Sequence, residues 1–318
     1  MRFGYFLSCE EYSPASLVEQ ARLAEEAGFD ELFISDHYHP WLDAQGESPF
    51  VWSVIGALSQ VTSLPVTTAV TCPTQRIHPA VVAQAAATAA TLLEGRFTLG
   101  VGTGEALNEH IAGEVWPRAD VRLEMLEEAV GIIRELWTGE VTSHDGDFYT
   151  VDTARIYTLP DETPQIHMSA FGPKALEVAG RIADGFISTK PDAESLATFR
   201  ELKGERAPAA SGYKVGYARD RDEAIDHAHR LWPTAGIPGE LAQVLPSPQH
   251  FEQASQLVTR EMTAQSTAFG ADVAEHVAAC RPFVDAGFDT VYVANMGPYY
   301  TEMIRFYGSD VLPALRGE

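Results

Sequence analysis

The sequence predicts a single (β/α)8 TIM barrel, an α/β fold spanning residues 1-318. Three observations point to it. Short apolar runs alternate with amphipathic segments along the whole chain, which is the pattern of repeated βα units and a parallel sheet. The length of 318 residues suits one barrel of about 250 residues with insertions. The composition, 45% hydrophobic, 21% charged and 10% aromatic, is that of an ordinary globular protein.

Each unit can be justified in turn. Arg2 to Ser8 reads as the first strand. Ser13 to Gly28 reads as the first helix, opened by a Ser-Pro cap and closed by glycine. Glu31 to Ser35 is the second strand, Phe50 to Thr62 a helix, and the β-branched run Pro65 to Cys72 the third strand. His78 to Glu94 is an alanine-rich helix and Phe97 to Val101 the fourth strand. Asp120 to Thr138 is a helix, because Leu123, Leu126, Val130, Ile133 and Trp137 recur at spacings of three and four. From about 139 to 165 threonines, aromatics and turn residues suggest a hairpin insertion. Ile166 to Ala170 is the fifth strand, Lys174 to Ala183 its helix, Gly185 to Ser188 the sixth strand, Ala193 to Arg206 a helix and Lys214 to Ala218 the seventh strand. Several prolines mark a second insertion, with short helices, at about 231 to 265. Asp272 to Gly287, Thr290 to Ala294 and Tyr300 to Leu315 supply the last helix, the eighth strand and a closing helix.

The charge balance narrows the function. Lys+Arg number 22 against 45 Asp+Glu, a formal charge of -23, which repels phosphate backbones and anionic lipid. Neither nucleic acid nor a membrane is an expected partner. Cys9, Cys72 and Cys280 are odd in number, far apart and without a C-x-x-C pair, which fits a reducing cytoplasm. The N-terminus runs directly into an apolar strand with no signal-peptide core, and no apolar run approaches the roughly 18 residues of a membrane span.

Barrel enzymes carry their chemistry at the C-terminal ends of the strands. There the sequence places Cys9, Glu10 and Glu11, the segment Ser35-Asp36-His37-Tyr38-His39-Pro40-Trp41, Thr71 to Thr74, Gly102 to Glu109, Ser169 to Lys174, and Asn295-Met296. His37 and His39 could share a metal ion. The remaining histidines, His78, His110, His144 and His167, do not complete a ligand set, so an organic cofactor is expected and no metal. Gly100 to Gly104 lacks the third glycine of a dinucleotide fingerprint and reads as a tight βα turn.

The stretches Ile34 to Trp41, Thr71 to Arg76 with His78-Pro79, and Leu99 to Glu109 (LGVGTGEALNE) resemble the luciferase-like family of flavin and deazaflavin barrels. Within it they resemble the F420-dependent oxidoreductase branch typified by glucose-6-phosphate dehydrogenases, over essentially the whole chain. The resemblance implies a homodimer that binds coenzyme F420 at the barrel mouth, with a non-proline cis peptide at Ala69-Val70. It implies cofactor contacts at Asp36, Ala69, Val70, Cys72, Thr103, Gly104, Asn108, Ala170, Phe171, Gly172 and Lys174. Glycines at 102, 104 and 172 would let backbone approach a flat ring or a phosphate, and the helix start at Pro173-Lys174 would offer free N–H groups to an anion.

The implied reaction is hydride transfer between a carbinol carbon and the deazaflavin ring. An alcohol must lose its hydroxyl proton as hydride leaves, so a base is needed, and imidazole is poised near neutral pH. By the family motif that base is His37. Trp41 would flank the reacting centre, Glu105 would manage a proton near the ring, and Glu10 matches an active-site glutamate. The family's sugar-phosphate cations are matched here by Asp192, Thr259 and Thr301 or Glu302, with Lys190 and Arg260 nearby. With Met296, Tyr299 and Tyr300 at the last strand, the expected substrate is an uncharged alcohol or ketone in an aromatic-lined pocket. Alternatives are a sugar phosphate, or an FMN-dependent monooxygenase of the same broad family.

Overall fold

A computed structural model describes residues 1–237 and 239–317. The chain opens with β1 (Arg2–Leu7), α1 (Pro14–Glu26), β2 (Glu31–Ile34), α2 (Val51–Leu58), β3 (Val66–Thr68), α3 (Pro79–Leu92), β4 (Phe97–Val101), a short α4 (Ala106–Glu109) and α5 (Ala119–Leu136). A hairpin of β5 (Thr142–Asp145) and β6 (Thr150–Ala154) follows, then β7 (Gln165–Ser169), α6 (Pro173–Ile182), β8 (Gly185–Ser188), α7 (Ala193–Lys203), β9 (Ala209–Gly216) and α8 (Arg221–Leu231). Short helices α9 (Leu241–Val244), α10 (Pro248–Ser255) and α11 (Arg260–Ala264) precede α12 (Val273–Asp285), β10 (Thr290–Met296), α13 (Tyr300–Phe306) and α14 (Leu312–Arg316), the last two joined by a π-turn. Pro238, inside the proline-rich insertion, lies outside the described residues.

Eight parallel strands close in the order β1-β10-β9-β8-β7-β4-β3-β2. The alternation of strand side chains divides the core in two. Outward residues such as Tyr5, Leu7, Leu32 and Ile34 pack under the helices, while Phe6, Phe33, Ala210, Tyr292 and Ala294 fill the barrel interior. The register places Phe33, Phe6, Ala294 and Lys214 on one row around the wall.

Element boundaries follow local chemistry. Ser13 caps α1, its hydroxyl accepting from the Ser16 N–H at 3.3 Å, and Pro14 occupies the first turn, where a missing N–H is harmless. The third strand is far shorter than its β-branched sequence suggests. Beyond Thr68 the chain leaves the ladder through a cis Ala69–Val70 peptide, the bond at which the family resemblance puts it. Thr68 repairs the ladder with its side chain, Oγ1 accepting from the Gly100 N–H and donating to the Gly100 carbonyl, both at 2.9 Å. A Cβ on Gly100 would stand 1.8 Å from the Thr68 carbonyl oxygen, so no larger residue fits there. β9 starts five residues before the expected Lys214, and α8 forms from a segment the apolar periodicity did not mark.

Candidate active site

β1 hands the chain to a tight turn in which the Ser8 carbonyl accepts from the Glu11 and Tyr12 N–H groups, bringing Glu10 to the mouth of the barrel. Glu10 is 3% exposed. Its Oε2 accepts from Ser35 Oγ at 2.6 Å and its Oε1 from the Trp41 indole N–H at 3.3 Å. The same Oε1 lies 3.5 Å from His37 Nε2. Burial pushes the Glu10 carboxyl up, but His37, Lys214 and the Ser35 hydrogen bond outweigh it and hold the group below its usual range. The His37 and Trp41 rings stand 5.0 Å apart, so three of the expected catalytic side chains form one cluster.

Asn108, on α4, organises the loop that carries them. Its Oδ1 accepts from the backbone N–H groups of Tyr38 (2.9 Å) and His39 (3.1 Å). Two donors on one oxygen fix the amide, so Nδ2 points its hydrogens at His37 Nδ1, 3.1 Å away, and at Glu105 Oε2, 3.4 Å away. The His39 carbonyl lies 3.2 Å from the same His37 nitrogen. Nδ1 therefore faces one donor and one acceptor, and either tautomer of the ring finds a partner. Glu105, half-buried, joins the cluster through Asn108.

Asp36 has a different setting from the one expected. Its carboxylate has no exposed surface. Oδ1 pairs with Arg76 at 2.8 Å and Oδ2 accepts from Thr71 Oγ1 at 2.8 Å, leaving no side-chain face for a ligand. Arg76 also stands 3.5 Å from Glu109 Oε1 and donates its backbone N–H to Glu109 Oε2 at 3.0 Å. Burial raises the Glu109 carboxyl to about 7 against the pull of Arg76. Sequence reasoning had no signal for Arg76 and Glu109 as buried partners, since a buried and a solvated charge look alike in one sequence.

The segment after the cis bond packs onto the glycine turn of β4. A Cβ on Gly102 would come 2.6 Å from Val70 Cγ2, and one on Gly104 2.7 Å from Cys72 Sγ. Gly104 also has a φ of +73°, which side chains rarely adopt. Ala69, Val70, Cys72, Thr103 and Gly104 thus share one side of the mouth. Burial pushes the Cys72 thiol well up, and Sγ lies 3.0 Å from Thr74 Oγ1. Just past the neighbouring strand β7, Ala170 is buried, while Phe171, Gly172 and Lys174 are exposed at the start of α6. These stand at the same end of the barrel, without a hydrogen bond to the His37 cluster.

A second buried group lies across the mouth. Glu11 accepts from the Gly297 N–H at 2.7 Å and from the Trp232 indole N–H; burial raises its carboxyl to about 7. Lys214, on β9, holds its amine 4.1 Å above the Trp232 ring and 5.3 Å from the Phe6 ring. Met296 packs in a cluster with Trp232 and Phe269, bordered by Trp41 and Tyr299. Tyr300 departs from the expected lining: its ring packs edge-on against Tyr12 and its hydroxyl donates to Glu19 on the exterior. The positions matched to phosphate-binding cations are also otherwise engaged. Asp192 caps α7, accepting from the Ser195 N–H at 3.0 Å, and Thr259 caps α11, accepting from the Met262 N–H at 3.3 Å. Arg260 is paired with Asp226 at 2.6 Å and Asp222 at 3.0 Å.

Comparison with known proteins identifies the family and supports the fold. Residues 1–290 match the family model described as luciferase-like monooxygenase. An F420-dependent glucose-6-phosphate dehydrogenase of Microbacterium testaceum is 36% identical, over 99% of this chain and 98% of its own. One from Nakamurella multipartita is 36% identical, over 99% and 97%. Among solved structures, an F420-dependent secondary alcohol dehydrogenase in complex with an F420-acetone adduct superposes with a TM-score of 0.90 at 30% identity, over 99% of both chains. The closed barrel and these likenesses converge: the chain belongs to the luciferase-like monooxygenase family.

Proposed function

We propose that this protein is an F420-dependent oxidoreductase that transfers a hydride between the carbinol carbon of an uncharged alcohol, or the matching ketone, and the deazaflavin ring. The observation that carries the chemistry is the His37–Glu10–Trp41 cluster held by Asn108. The relatives named above, each at least 30% identical over nearly the whole chain, are F420-dependent dehydrogenases. The site fits such a cofactor: the bulge at Ala69–Val70 and the Gly102 to Gly104 turn present small side chains and bare backbone. Nothing lies within 4 Å of a Cβ built on Gly172, and α6 begins there with N–H groups open to an anion. Bound F420 would supply the ring carbon that accepts or returns the hydride.

The chain supplies the proton chemistry. With its proton on Nδ1, donated to the His39 carbonyl, His37 has a free Nε2 lone pair to take the substrate hydroxyl proton. The imidazolium so formed would face the Glu10 carboxylate, whose Oε1 lies 3.5 Å from Nε2. Trp41 covers the cluster, bonded to Glu10 and edge-on against Phe251, which fixes the glutamate and excludes water. Glu105 is the carboxylate expected to exchange a proton beside the ring.

The commitments of Asp192, Thr259 and Arg260 favour an uncharged substrate over a sugar phosphate, because a phosphate dianion wants fixed, free cations. Following F420 absorbance with glucose 6-phosphate and with secondary alcohols at equal enzyme concentration tests this reading. Alcohols are expected to show the higher kcat/KM; the reverse order would return the anion site to Lys190 or to a displaced Arg260. The reading includes a homodimer, with the apolar face of α2 and α3, carrying Phe50, Val81 and Leu92 in the open, as the surface for the second copy. It also places the enzyme in the cytoplasm.

A further inference from the structure

Lys214 is the one lysine in the interior row of the barrel wall. It pairs in register with Ala294, which pairs with Phe6, and both neighbours belong to the interior cluster. Its amine is held between two aromatic rings, over the face of Trp232 at 4.1 Å and beside Phe6 at 5.3 Å. Trp232 is itself fixed, buried and hydrogen-bonded through its edge to Glu11. Among the described residues the amine makes neither a hydrogen bond nor an ion pair. Lys214 is partly accessible, and its place on the interior row in the C-terminal half of β9 turns that surface toward the mouth of the barrel.

An ammonium carries three donors, and a pocket that closes over them must provide acceptors. The residues around it leave that task undone. Glu10 accepts from Ser35 and Trp41 and Glu11 from Trp232 and Gly297, and among the described residues neither accepts from the amine. Ser8, two residues on from Phe6, adds a buried hydroxyl without a hydrogen-bond partner. Fixed donors beside carboxylates match a ligand that both accepts and donates, as neighbouring hydroxyl groups do. A phosphate would meet one cation and the charge of Glu10, and a bare alkanol would leave the amine unanswered.

We propose that Lys214 is a substrate-binding and specificity-determining residue, and that the pocket takes an uncharged polyhydroxylated alcohol whose additional hydroxyl accepts from its amine. This rests on the alcohol-oxidoreductase reading above and narrows it to a substrate class. Sites built to hydrogen-bond a hydroxyl discriminate strongly against analogues that lack it.

The test compares cyclohexanol with cis-cyclohexane-1,2-diol, which differ by one hydroxyl. Ligand-observed NMR titration measures binding to the protein without F420, and kcat/KM is measured with F420. The wild type is expected to favour the diol at least tenfold in both measurements. Lys214→Met, which keeps the stem and removes the donors, is expected to bring both ratios near one, chiefly through KM. A wild-type ratio at or below one overturns the proposal even if the variant does not fold; so does a Lys214→Met ratio equal to that of the wild type. Failure of F420 to bind, or to be reduced with any alcohol, counts against the oxidoreductase reading instead, and the cofactor-free binding ratio still decides the role of the lysine.

Discussion

Replacing Asn108 by alanine should cost both stability and rate, and the structure sets the size of each. The side chain is 1% exposed and its Oδ1 is the acceptor for two backbone donors, at Tyr38 and His39. Each donor stranded away from water costs about 1 to 3 kcal/mol. The loop is partly solvated, so the lower half of that range applies and the two together come to about 2 to 4 kcal/mol. Urea unfolding should show that loss as a lower midpoint at unchanged slope. Without the Oδ1 anchor the backbone at Tyr38 and His39 is freed, and with it the His39 carbonyl that holds His37 Nδ1, so kcat is expected to fall roughly 10- to 100-fold, as small misplacements of a reacting group do. Asn108→Asp keeps the acceptor for both backbone donors but sets a carboxylate oxygen beside Glu105 Oε2 in place of Nδ2, so it should hold the loop better than alanine while still slowing turnover. An alanine variant within 1 kcal/mol of wild type would refute the claim that this amide holds the catalytic loop.

Other outcomes follow from the same site. His37→Ala should lower kcat by about 10² to 10⁴ while F420 affinity, followed by fluorescence titration, stays within a few-fold; wild-type turnover would remove His37 from the mechanism. Glu11, with its carboxyl raised to about 7, binds its proton more tightly in the folded state. Its stabilising contribution is complete below about 4.5 and is lost as the pH rises through 7. Glu11→Gln should therefore gain on wild type in thermal melts between pH 5 and pH 8, by on the order of 1 to 3 kcal/mol, and a constant difference across that range would contradict the assignment. Gly104→Ala should destabilise by about 1 to 3 kcal/mol from its backbone conformation alone, before the contact with Cys72 is counted; an unchanged melting temperature would be the contrary result. Lys174→Ala should weaken F420 binding at low salt, and an unchanged Kd would move the phosphate site elsewhere on the mouth.

The barrel was legible because its strands are short apolar runs between turn residues, as in Phe97–Val101 and Gly185–Ser188, where the expected and observed bounds coincide. β9 was read late because Ala209-Ala210-Ser211-Gly212 has no β-branched residue: small side chains leave room inside the barrel, where a Cβ on Gly212 would stand 2.1 Å from the Tyr292 ring. α8 was missed because it is highly charged, with apolar contacts made by only a few positions such as Ala224, Ile225 and Leu231. At the site, His37, Trp41, Glu10 and Asn108 were found through a family motif. Arg76 and Lys214 were not, because burial of a charge is decided by long-range packing. Asp192 and Thr259 look like pocket residues by position and serve as helix caps, a role that short polar side chains fill wherever a helix begins.

The pairing of Arg2 with Thr290 joins segments 288 residues apart along the chain. At about 5 to 20 residues per second, β1 waits roughly 15 to 60 s for β10 to be translated. In that interval β2 can cover only one of its edges, and Phe3, Tyr5 and Leu7 lie beside an unpaired row of backbone groups. A nascent chain stalled before residue 290 would leave β1 and β9 each with an open edge, the geometry on which strands from other chains add. Barrel closure thus waits on the tenth strand, and the yield of active protein in a cell depends on what shields the first strand until it arrives.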